Sequence, residues 1–215
     1  SENKVDLVEA IQEGKTSLSF RTRYEDVSEN TNVPQGAQAL TLRSRLAFET
    51  EQYELFSALI EFDAVTALPD DENYNSGSND QVDDALVLDP EGTELSRIWL
   101  AYDIANNLLK FGRQNVSLDN QRFIGTDSWR QNEQSLTGLS LQNQMLNYTR
   151  LFLGQFNRLD NAHGGSKESR SRDLDAKVIN LQYRGFLHSE LALYGYLVDS
   201  HDLMPIADTF TYGVR

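Results

Sequence analysis

Residues 40–64 of the chain read LTLRSRLAFETEQYELFSALIEFDA. On both sides of the polar residues 50–52, apolar and polar side chains alternate with a period of two. Successive side chains of a β-strand point to opposite faces, so each half of this stretch can form a strand with one apolar and one polar face. The stretch therefore predicts an antiparallel hairpin with strands near 40–49 and 53–64.

The same alternation recurs along most of the chain. Further strands are predicted near 17–25, 94–104, 108–115, 137–142, 146–156, 174–185 and 188–198. Short turns of two or three residues join these strands into hairpins, and long polar segments separate the hairpins at 27–39, 65–93, 116–136, 157–173 and 199–207. Outer-membrane barrels combine short periplasmic turns with long extracellular loops in this order, and strands of about ten residues match a tilted membrane crossing.

The fold predicted is all-β, an antiparallel up-and-down transmembrane β-barrel of about ten readable strands with a short N-terminal helix. A soluble β-sandwich is the alternative, because it also gives alternating strands separated by turns. The alternating loop lengths favour the barrel, since a sandwich has no reason to keep that order.

The two ends of the chain predict a division into an N-terminal periplasmic segment, residues 1–14, and a barrel domain, residues 15–215. Leu7, Val8 and Ile11 have helical spacing and predict a short helix that Gly14 ends. Residues 209–215 have the pattern of a tenth strand that is cut short. We expect the chain to be the front part of a longer barrel, with a closed ten-stranded barrel as the alternative.

The composition excludes several classes of function. Thirty-three Asp and Glu against nineteen Lys and Arg give a net charge of −14, which argues against a nucleic-acid partner. The absence of cysteine excludes disulfides and thiolate chemistry. No His cluster, phosphate-binding glycine loop or catalytic triad pattern is present, so we expect no catalytic residue, no cofactor and no metal site.

Arginine is frequent on the polar face of the predicted strands. The residues that share this face are Arg21, Arg23, Arg43, Arg45, Arg97 and Arg184. In a barrel this face borders the lumen, where guanidinium groups suit carboxylate, sulfate or phosphate and favour anions. Alternatively, these residues pair with Glu25, Glu49, Glu61 and Asp103 in cross-strand ladders that hold the wall. Both interpretations hold together if arginine locally exceeds carboxylate.

The two longest loops carry different expectations. Segment 116–136, with Arg122, Trp129 and Arg130, either folds inward and narrows the pore or packs as a surface loop. Segment 69–91 is rich in Asp among Asn, Ser and Gly, and its spacing fits no recognised calcium loop. We expect that segment to be solvated or disordered.

Two basic residues have an ambiguous position in this pattern. Strict alternation places Arg113 on the apolar face, so it lies either at the rim or beside a bulge at Gly112. Arg150 shares a face with Tyr148 and Phe152, and its side remains open.

One block has a more specific pattern. Residues 110–114 read KFGRQ, residues 118–125 read LDNQRFIG, and residues 129–134 read WRQNEQ. This block resembles the alginate-export family of outer-membrane porins, and RTRYE at 21–25 and RSRLAFE at 43–49 look like that family's first strands. The resemblance implies a monomeric type of barrel that passes an anionic polysaccharide along an arginine-lined path.

These observations predict an outer-membrane porin for diffusion or export of small polar solutes, anionic or saccharide, with outer-membrane lipid around it. The expected location is the cell outer membrane of a Gram-negative bacterium. The residues expected in the lumen or at the substrate are Arg21, Arg23, Arg43, Arg45, Arg97, Lys110, Arg122, Arg130 and Arg184. The alternatives are a soluble β-sandwich that binds carbohydrate and a barrel enzyme at whose rim a pair such as Asp119 and His163 acts.

Overall fold

A computed structural model describes residues 6–28, 36–68, 73–162, 171–200 and 208–215. One short helix, α1 (Leu7–Gln12), precedes ten strands. The strands are β1 (Lys15–Val27), β2 (Ala37–Glu49), β3 (Phe56–Ala67), β4 (Gly92–Ile104), β5 (Asn107–Gln114), β6 (Ser135–Asn143), β7 (Thr149–Asp160), β8 (Ser171–Phe186), β9 (Ser189–Ser200) and β10 (Thr209–Val214).

The ten strands form one sheet in sequence order, and each is antiparallel to the next. Strands β1 and β10 are the two edges. Short turns join β2–β3, β4–β5, β6–β7 and β8–β9 at one end of the sheet, and the long connections lie at the other end. This up-and-down arrangement confirms the predicted strands and the predicted alternation of connection lengths. A sandwich would require a second sheet, so that alternative is wrong.

Helix α1 lies at the short-turn end. The Asp6 side chain accepts a 2.8 Å hydrogen bond from the Glu9 amide and so begins the helix. The amide of Glu51, in the β2–β3 turn, donates to the Ala10 carbonyl at 2.9 Å, and Ala10 is buried. The predicted helix is confirmed, although the side chains of Leu7, Val8 and Ile11 are exposed. Among the described residues, no helix has the length and apolarity needed to cross a bilayer.

The two faces of the sheet are opposite in character. One, here called the apolar face, exposes Leu18, Phe20, Leu46, Ile60, Phe62, Leu100, Phe111, Leu139, Ile179, Leu193 and Leu197. The other, here called the polar face, buries Arg23, Thr41, Glu61, Asp63, Gln114, Ser140, Asn180 and Gln182. Apolar side chains on the outside and polar ones inside are the arrangement of a membrane barrel, because its outer surface meets lipid.

Register shifts change this alternation at two places that matter for the polar face. In the β3–β4 pair, Glu61 is opposite Arg97 while Phe62 is opposite Leu95, so Ser96 is an extra residue. In β7, Asn157 is extra, because Phe156 is opposite Gly138 and Arg158 is opposite Thr137. A bulge puts neighbouring side chains on the same side of the strand. Ser96 and Arg97 accordingly both reach the same carboxylate oxygen of Glu61, each at 2.8 Å.

Candidate functional site

Two long connections lie against the polar face rather than extending away from the sheet. Segment 73–91 packs on β2 and β3 through a cluster of buried residues: Ala37, Ala39, Ala67, Tyr74, Ala85 and Val87. Segment 115–134 crosses the polar face from β5 to β1 and β2, where Gln131 is completely buried. Of the two interpretations of that segment, folding inward over the polar face is confirmed. The expectation of a solvated or disordered loop, made for segment 69–91, is confirmed only in part: Asp80 and Asp83 are exposed to solvent, whereas Tyr74 and Val87 are buried and anchor the segment to the sheet.

Arginine side chains of β1 and β2 hold segment 115–134 by its backbone. The Arg21 guanidinium donates to the carbonyls of Ser128, Trp129 and Arg130 at 2.8, 2.9 and 3.0 Å. Arg43 donates to the Gln131 carbonyl at 3.0 Å. Carbonyl oxygens accept these bonds without adding negative charge, so the positive charge of Arg21 is not neutralised by them.

The Gln131 side chain makes the reciprocal contact with the strands. Its amide nitrogen donates to the Thr41 hydroxyl at 2.8 Å, the Thr41 carbonyl at 3.2 Å and the Arg21 carbonyl at 3.3 Å. The Gln131 backbone amide donates to the Asp89 carboxylate at 2.9 Å. Asp89 therefore joins the two segments to each other as well as to the sheet.

Ion pairs connect the arginines to carboxylates on strands and loops. Arg23 donates to Asp89 at 2.8 Å and also pairs with Glu25, while its guanidinium carbon lies 4.5 Å from the centroid of the Trp129 ring. The two terminal nitrogens of Arg23 thus meet two different carboxylates, and charge-assisted hydrogen bonds of this kind hold the guanidinium in place. Arg23 and Glu25 lie on the same strand, so this pair is not a cross-strand contact, and Asp89 comes from a distant loop. The cross-strand ladder is confirmed for Glu61 of β3, which pairs with its register partner Arg97 of β4.

The second half of the cluster has two carboxylates on β3 and one on the loop. Arg45 makes two 2.7 Å bonds to Asp63, and Arg97 pairs with Glu61. Glu133 lies 3.2 Å from Arg45, measured between the nearest nitrogen and oxygen atoms. Glu61 and Asp63 are completely buried, so their charges depend on these partners.

The charge of this arginine cluster is close to balanced. Its cations are Arg21, Arg23, Arg43, Arg45, Arg97 and Arg130, and its carboxylates are Glu25, Glu61, Asp63, Asp89 and Glu133. A sixth carboxylate, Glu94, lies opposite Asp63 in the register with both of its oxygens buried, so positive and negative charges at the cluster are about equal in number. The structure therefore brings together six of the nine basic residues that the sequence predicted for the lumen.

The other three predicted residues lie apart from this cluster. Lys110 is on the polar face of β5, with its ammonium 4.3 Å from the centroid of the Trp99 ring. Arg122 is exposed on the loop beside Phe123, 5.5 Å from the ring centroid. Arg184 is exposed near the β8–β9 turn and donates to Glu190 at 2.7 Å.

The sequence reasoning missed several residues of the site. Gln131, Glu133 and Asp89 lie in loops whose path no strand periodicity describes, and the carboxylate of Asp63 was assigned to a face but not to a partner. The RQNEQ run, in which Gln131 and Glu133 flank Asn132, was the available signal, and it pointed to the family rather than to these contacts.

The two ambiguous basic residues are placed by the register. Arg113 remains on the apolar-face side of β5 near the long-loop end and lies 3.0 Å from the Asp160 carboxylate. No register shift occurs at Gly112, so of the two alternatives the bulge is wrong and the rim position is confirmed. Arg150 lies on the polar face, donates to Gln142 at 2.7 Å and is next to the buried Phe152 ring.

The acidic residues of segment 69–91 form no recognisable cation site in the described part of the chain. Asp70, Asp71 and Glu72 lie outside the described residues, as does His163 of the pair considered for catalysis. Asp119, the other member of that pair, accepts hydrogen bonds from Asn180 at 2.8 Å and Gln182 at 3.2 Å. It thus ties the first part of loop 115–134 to β8.

A family model described as alginate export matches residues 14–194. The chain belongs to the alginate export family. The resemblance seen in residues 110–134 is thereby confirmed, and membership places this chain in the outer membrane of a Gram-negative bacterium. No curated protein sequence matches it significantly.

Solved structures of outer-membrane channels share the fold of this chain. Acinetobacter baumannii OccAB1 is 14% identical to this chain, with a TM-score of 0.68, and the match covers 93% of this chain and 48% of OccAB1. OccAB3 of the same organism is also 14% identical, with a TM-score of 0.69, and the match covers 95% of this chain and 53% of OccAB3. Pseudomonas aeruginosa OpdK, solved with vanillate, is 13% identical with a TM-score of 0.64, over 90% of this chain and 50% of its own. The chain spans about half the length of these structures.

Proposed function

We propose that this chain forms the wall and the constriction of an outer-membrane channel through which small polar anions diffuse. The observation that carries the proposal is the arginine cluster on the polar face, which loops 73–91 and 115–134 cover. In a closed barrel the polar face borders the lumen, and loops packed on it narrow the passage. The short turns and helix α1 then lie on the periplasmic side, because periplasmic connections are short.

The arginine cluster favours anions even though most of its arginines are paired with carboxylates. Four carboxylates hold Arg23, Arg45 and Arg97 in place, which gives the wall a fixed geometry. The guanidinium of Arg21 has carbonyl partners in the described residues and thus contributes charge that no carboxylate offsets. Fixed positive charge at a constriction lowers the energy of an anion there and raises that of a cation.

The size of solute that can pass is limited by segment 115–134, which narrows the lumen, rather than by the charge of the arginines. Segment 115–134 spans the polar face from β1 at Arg21 to β8 at Asn180, so an extended polymer and a small solute would meet the same obstruction. The structurally similar OpdK was solved with vanillate, a small organic solute. This likeness supports small anionic or saccharide solutes for the present channel.

Two charge substitutions test the proposal in opposite directions. Arg21→Gln removes one positive charge without stranding a carboxylate, and Glu133→Gln removes one negative charge while keeping an oxygen acceptor. At about 10 Å in water one unit charge changes an ion's energy by about 0.4 kcal/mol, or about twofold in occupancy. We expect the chloride-to-potassium permeability ratio of the full-length protein to fall about twofold in Arg21→Gln and to rise about twofold in Glu133→Gln.

The matched control is Arg158→Gln. Arg158 is half exposed and, beyond the β7 bulge, is opposite Thr137 and in line with Arg113 on the apolar-face side of the sheet. Reversal potentials in planar bilayers should not change in this variant. If all three variants kept the parental ratio, or if Arg158→Gln shifted it as much as Arg21→Gln, the polar face would not be the conducting surface.

A further inference from the structure

A small cavity lies between loop 115–134 and the middle of the sheet, apart from the arginine cluster. Strands β5, β6 and β7 form its floor, and residues 115–118 of the loop form its roof. Its volume is about 90 Å³, and none of the residues around it belongs to the edge strands β1 and β10. We call it the stem cavity, because it lies where the loop leaves β5.

Packing holds the roof of the stem cavity in place. The side chains of Val116 and Leu118 are buried in an apolar cluster, and Phe152 of β7 belongs to the same cluster. Asn115, which begins the roof, donates a side-chain hydrogen bond to Glu133, whose carboxylate belongs to the arginine cluster. The roof is thus fixed to the sheet at several points, so the cavity is a fixed feature of the fold.

The residues around the stem cavity include two cations and no carboxylate. The cations are Lys110 of β5 and Arg150 of β7, and neither forms an ion pair within the part of the chain that the structure describes. The Lys110 ammonium lies 4.3 Å from the centroid of the Trp99 ring, on the β4 side of the cavity. Two positive charges beside a partly apolar space favour an anion there, because little water screens them.

Arg150 also has a hydrogen-bond donor that its neighbours do not use. One terminal nitrogen of the guanidinium donates to the side-chain oxygen of Gln142 at 2.7 Å. The Nε atom is buried and donates to no atom of the described residues. A buried donor of a charged group destabilises a fold when it has no acceptor, so a ligand that supplies an acceptor is stabilised there.

The two glutamines at the cavity have their oxygens engaged, which leaves their nitrogens as donors. The Gln142 oxygen accepts from Arg150, and the Gln114 oxygen accepts from the Ser140 hydroxyl at 2.6 Å. Among the described residues, the Gln142 NH2 group makes no hydrogen bond, and that of Gln114 makes a long one of 3.4 Å to the Gly138 carbonyl. Donors of this kind bind oxygen atoms of an anion.

We propose that the stem cavity binds one small inorganic oxyanion of tetrahedral shape, sulfate or phosphate, as a resident ligand. Arg150 and the Gln142 NH2 group donate to its oxygens, and Lys110 adds a second positive charge. The space suits a compact ion, since sites for larger organic molecules occupy roughly 300–1,000 Å³. Because the ion touches both the strands and the roof, its binding tightens the stem of the loop.

Isothermal titration calorimetry of the full-length protein in detergent tests this site with sodium sulfate and sodium phosphate, at an ionic strength kept constant with sodium chloride. We expect saturable binding of one ion with a Kd on the order of 1 mM or tighter. Arg150→Gln should weaken it roughly tenfold or more, because the charged donor is lost. Saturation with either ion supports the site, and the lower Kd identifies which oxyanion it takes.

The matched control is Arg184→Gln. Arg184 is an exposed residue of the same polar face, and its partner Glu190 keeps Arg215 as a second cation. The substitution removes the same charge without touching the stem cavity, so the Kd should stay within about twofold of the parent. Absence of saturable binding in the parent, or an equal loss of affinity in Arg150→Gln and Arg184→Gln, would overturn the proposal.

Hydrogen exchange gives a second measurement that a general loss of structure does not imitate. Sulfate should slow exchange of the backbone amides of residues 115–118 in the parent and leave residues 73–91 unchanged. Equal slowing at residues 115–118 in Arg150→Gln would also count against the site. The chloride-to-potassium ratios expected for Arg21→Gln and Glu133→Gln depend on the arginine cluster, so failure of the stem cavity leaves the proposed conduction unaffected.

Discussion

Gly112 and Gly138 are register partners in β5 and β6, and both have a positive φ, +127° and +159°. A Cβ on Gly112 would lie 2.3 Å from the Ile98 carbonyl oxygen and 2.9 Å from the Trp99 Cα. These are backbone atoms of β4 that cannot move aside without breaking the β4–β5 pairing. Glycine is required at this place because the backbones approach too closely for any side chain.

Gly112→Ala should therefore destabilise the barrel by more than about 2 kcal/mol, since both the contact and the positive φ oppose a side chain. Urea unfolding of the protein in detergent micelles measures this change. Gly195→Ala is the control, because a Cβ there would meet only the Ile179 Cγ2 at 3.2 Å, and its effect should stay within about 1 kcal/mol. Equal midpoints for the two variants would contradict the argument.

At the scale of residues, the alternating pattern predicted which face of the sheet each arginine occupies but not which carboxylate it pairs with. The period of two placed Arg23, Arg45 and Arg97 on the polar face, where the structure has them. Their carboxylates were harder to predict, because Asp89 is 66 positions from Arg23 and reaches it through a loop. A pair of that kind depends on the path of the loop, which residue spacing does not contain.

At the scale of elements, the strands were predictable and their irregular ends were not. The alternating pattern predicted that β3 begins near residue 53 and β7 near residue 146. In the structure, β3 begins at Phe56 and β7 at Thr149. Glu54 and Tyr148 adopt positive φ of 54° and 59° just before these strands. Residues other than glycine seldom adopt this conformation, so the side chains give no sign of the turn.

Segment 73–91 shows why an acidic composition misleads. Its many Asp, Asn, Ser and Gly residues suggested solvent, yet a few apolar residues suffice to dock it. Tyr74 is buried among alanines of β2 and β3, and its hydroxyl donates to the Asp89 carbonyl at 3.0 Å. The side chain of Asp89 then bonds Arg23 and the Gln131 amide. Tyr74 therefore supports both loops.

Tyr74→Ala should detach segment 73–91, since removal of a large buried ring costs about 3–5 kcal/mol locally. We expect faster hydrogen exchange and new protease cleavage within 73–91, together with faster exchange of the Gln131 amide. Val82→Ala is the control, because Val82 is 72% exposed and its loss removes little contact. If exchange at Gln131 stayed at the parental rate in Tyr74→Ala, the two loops would not be coupled through Asp89.

At the scale of the whole molecule, the apolar residues lie where lipid would be. The chain has no long apolar run and a net charge of −14, so its bulk composition resembles that of a soluble protein. Half of each strand faces the polar interior and the long loops are polar, which dilutes the apolar signal. The order of short and long connections still indicates a barrel, because it depends on the topology of the sheet rather than on the average hydropathy of the chain.

Leu100 tests the assignment of the apolar face for the whole barrel. It is 50% exposed on β4, opposite Ala58 on β3 and Phe111 on β5, within the apolar band. Leu100→Arg should destabilise the membrane-inserted barrel by roughly 2–4 kcal/mol if the residue lies near the bilayer midplane, because arginine there is poorly solvated. On an SDS gel of the detergent-extracted, full-length protein, the boiling-dependent mobility shift of the folded barrel should weaken in this variant.

Leu7→Arg is the matched control for that gel. Leu7 is 57% exposed, as Leu100 is half exposed, but it lies on helix α1 outside the strands. The same substitution at Leu7 should leave the shift intact if α1 lies in the periplasm, where arginine is hydrated. A Leu100→Arg protein that kept the full shift, or that stayed folded in plain buffer, would mean that water rather than lipid covers the apolar face. Loss of the shift in both variants would instead place α1 against the bilayer with the strands.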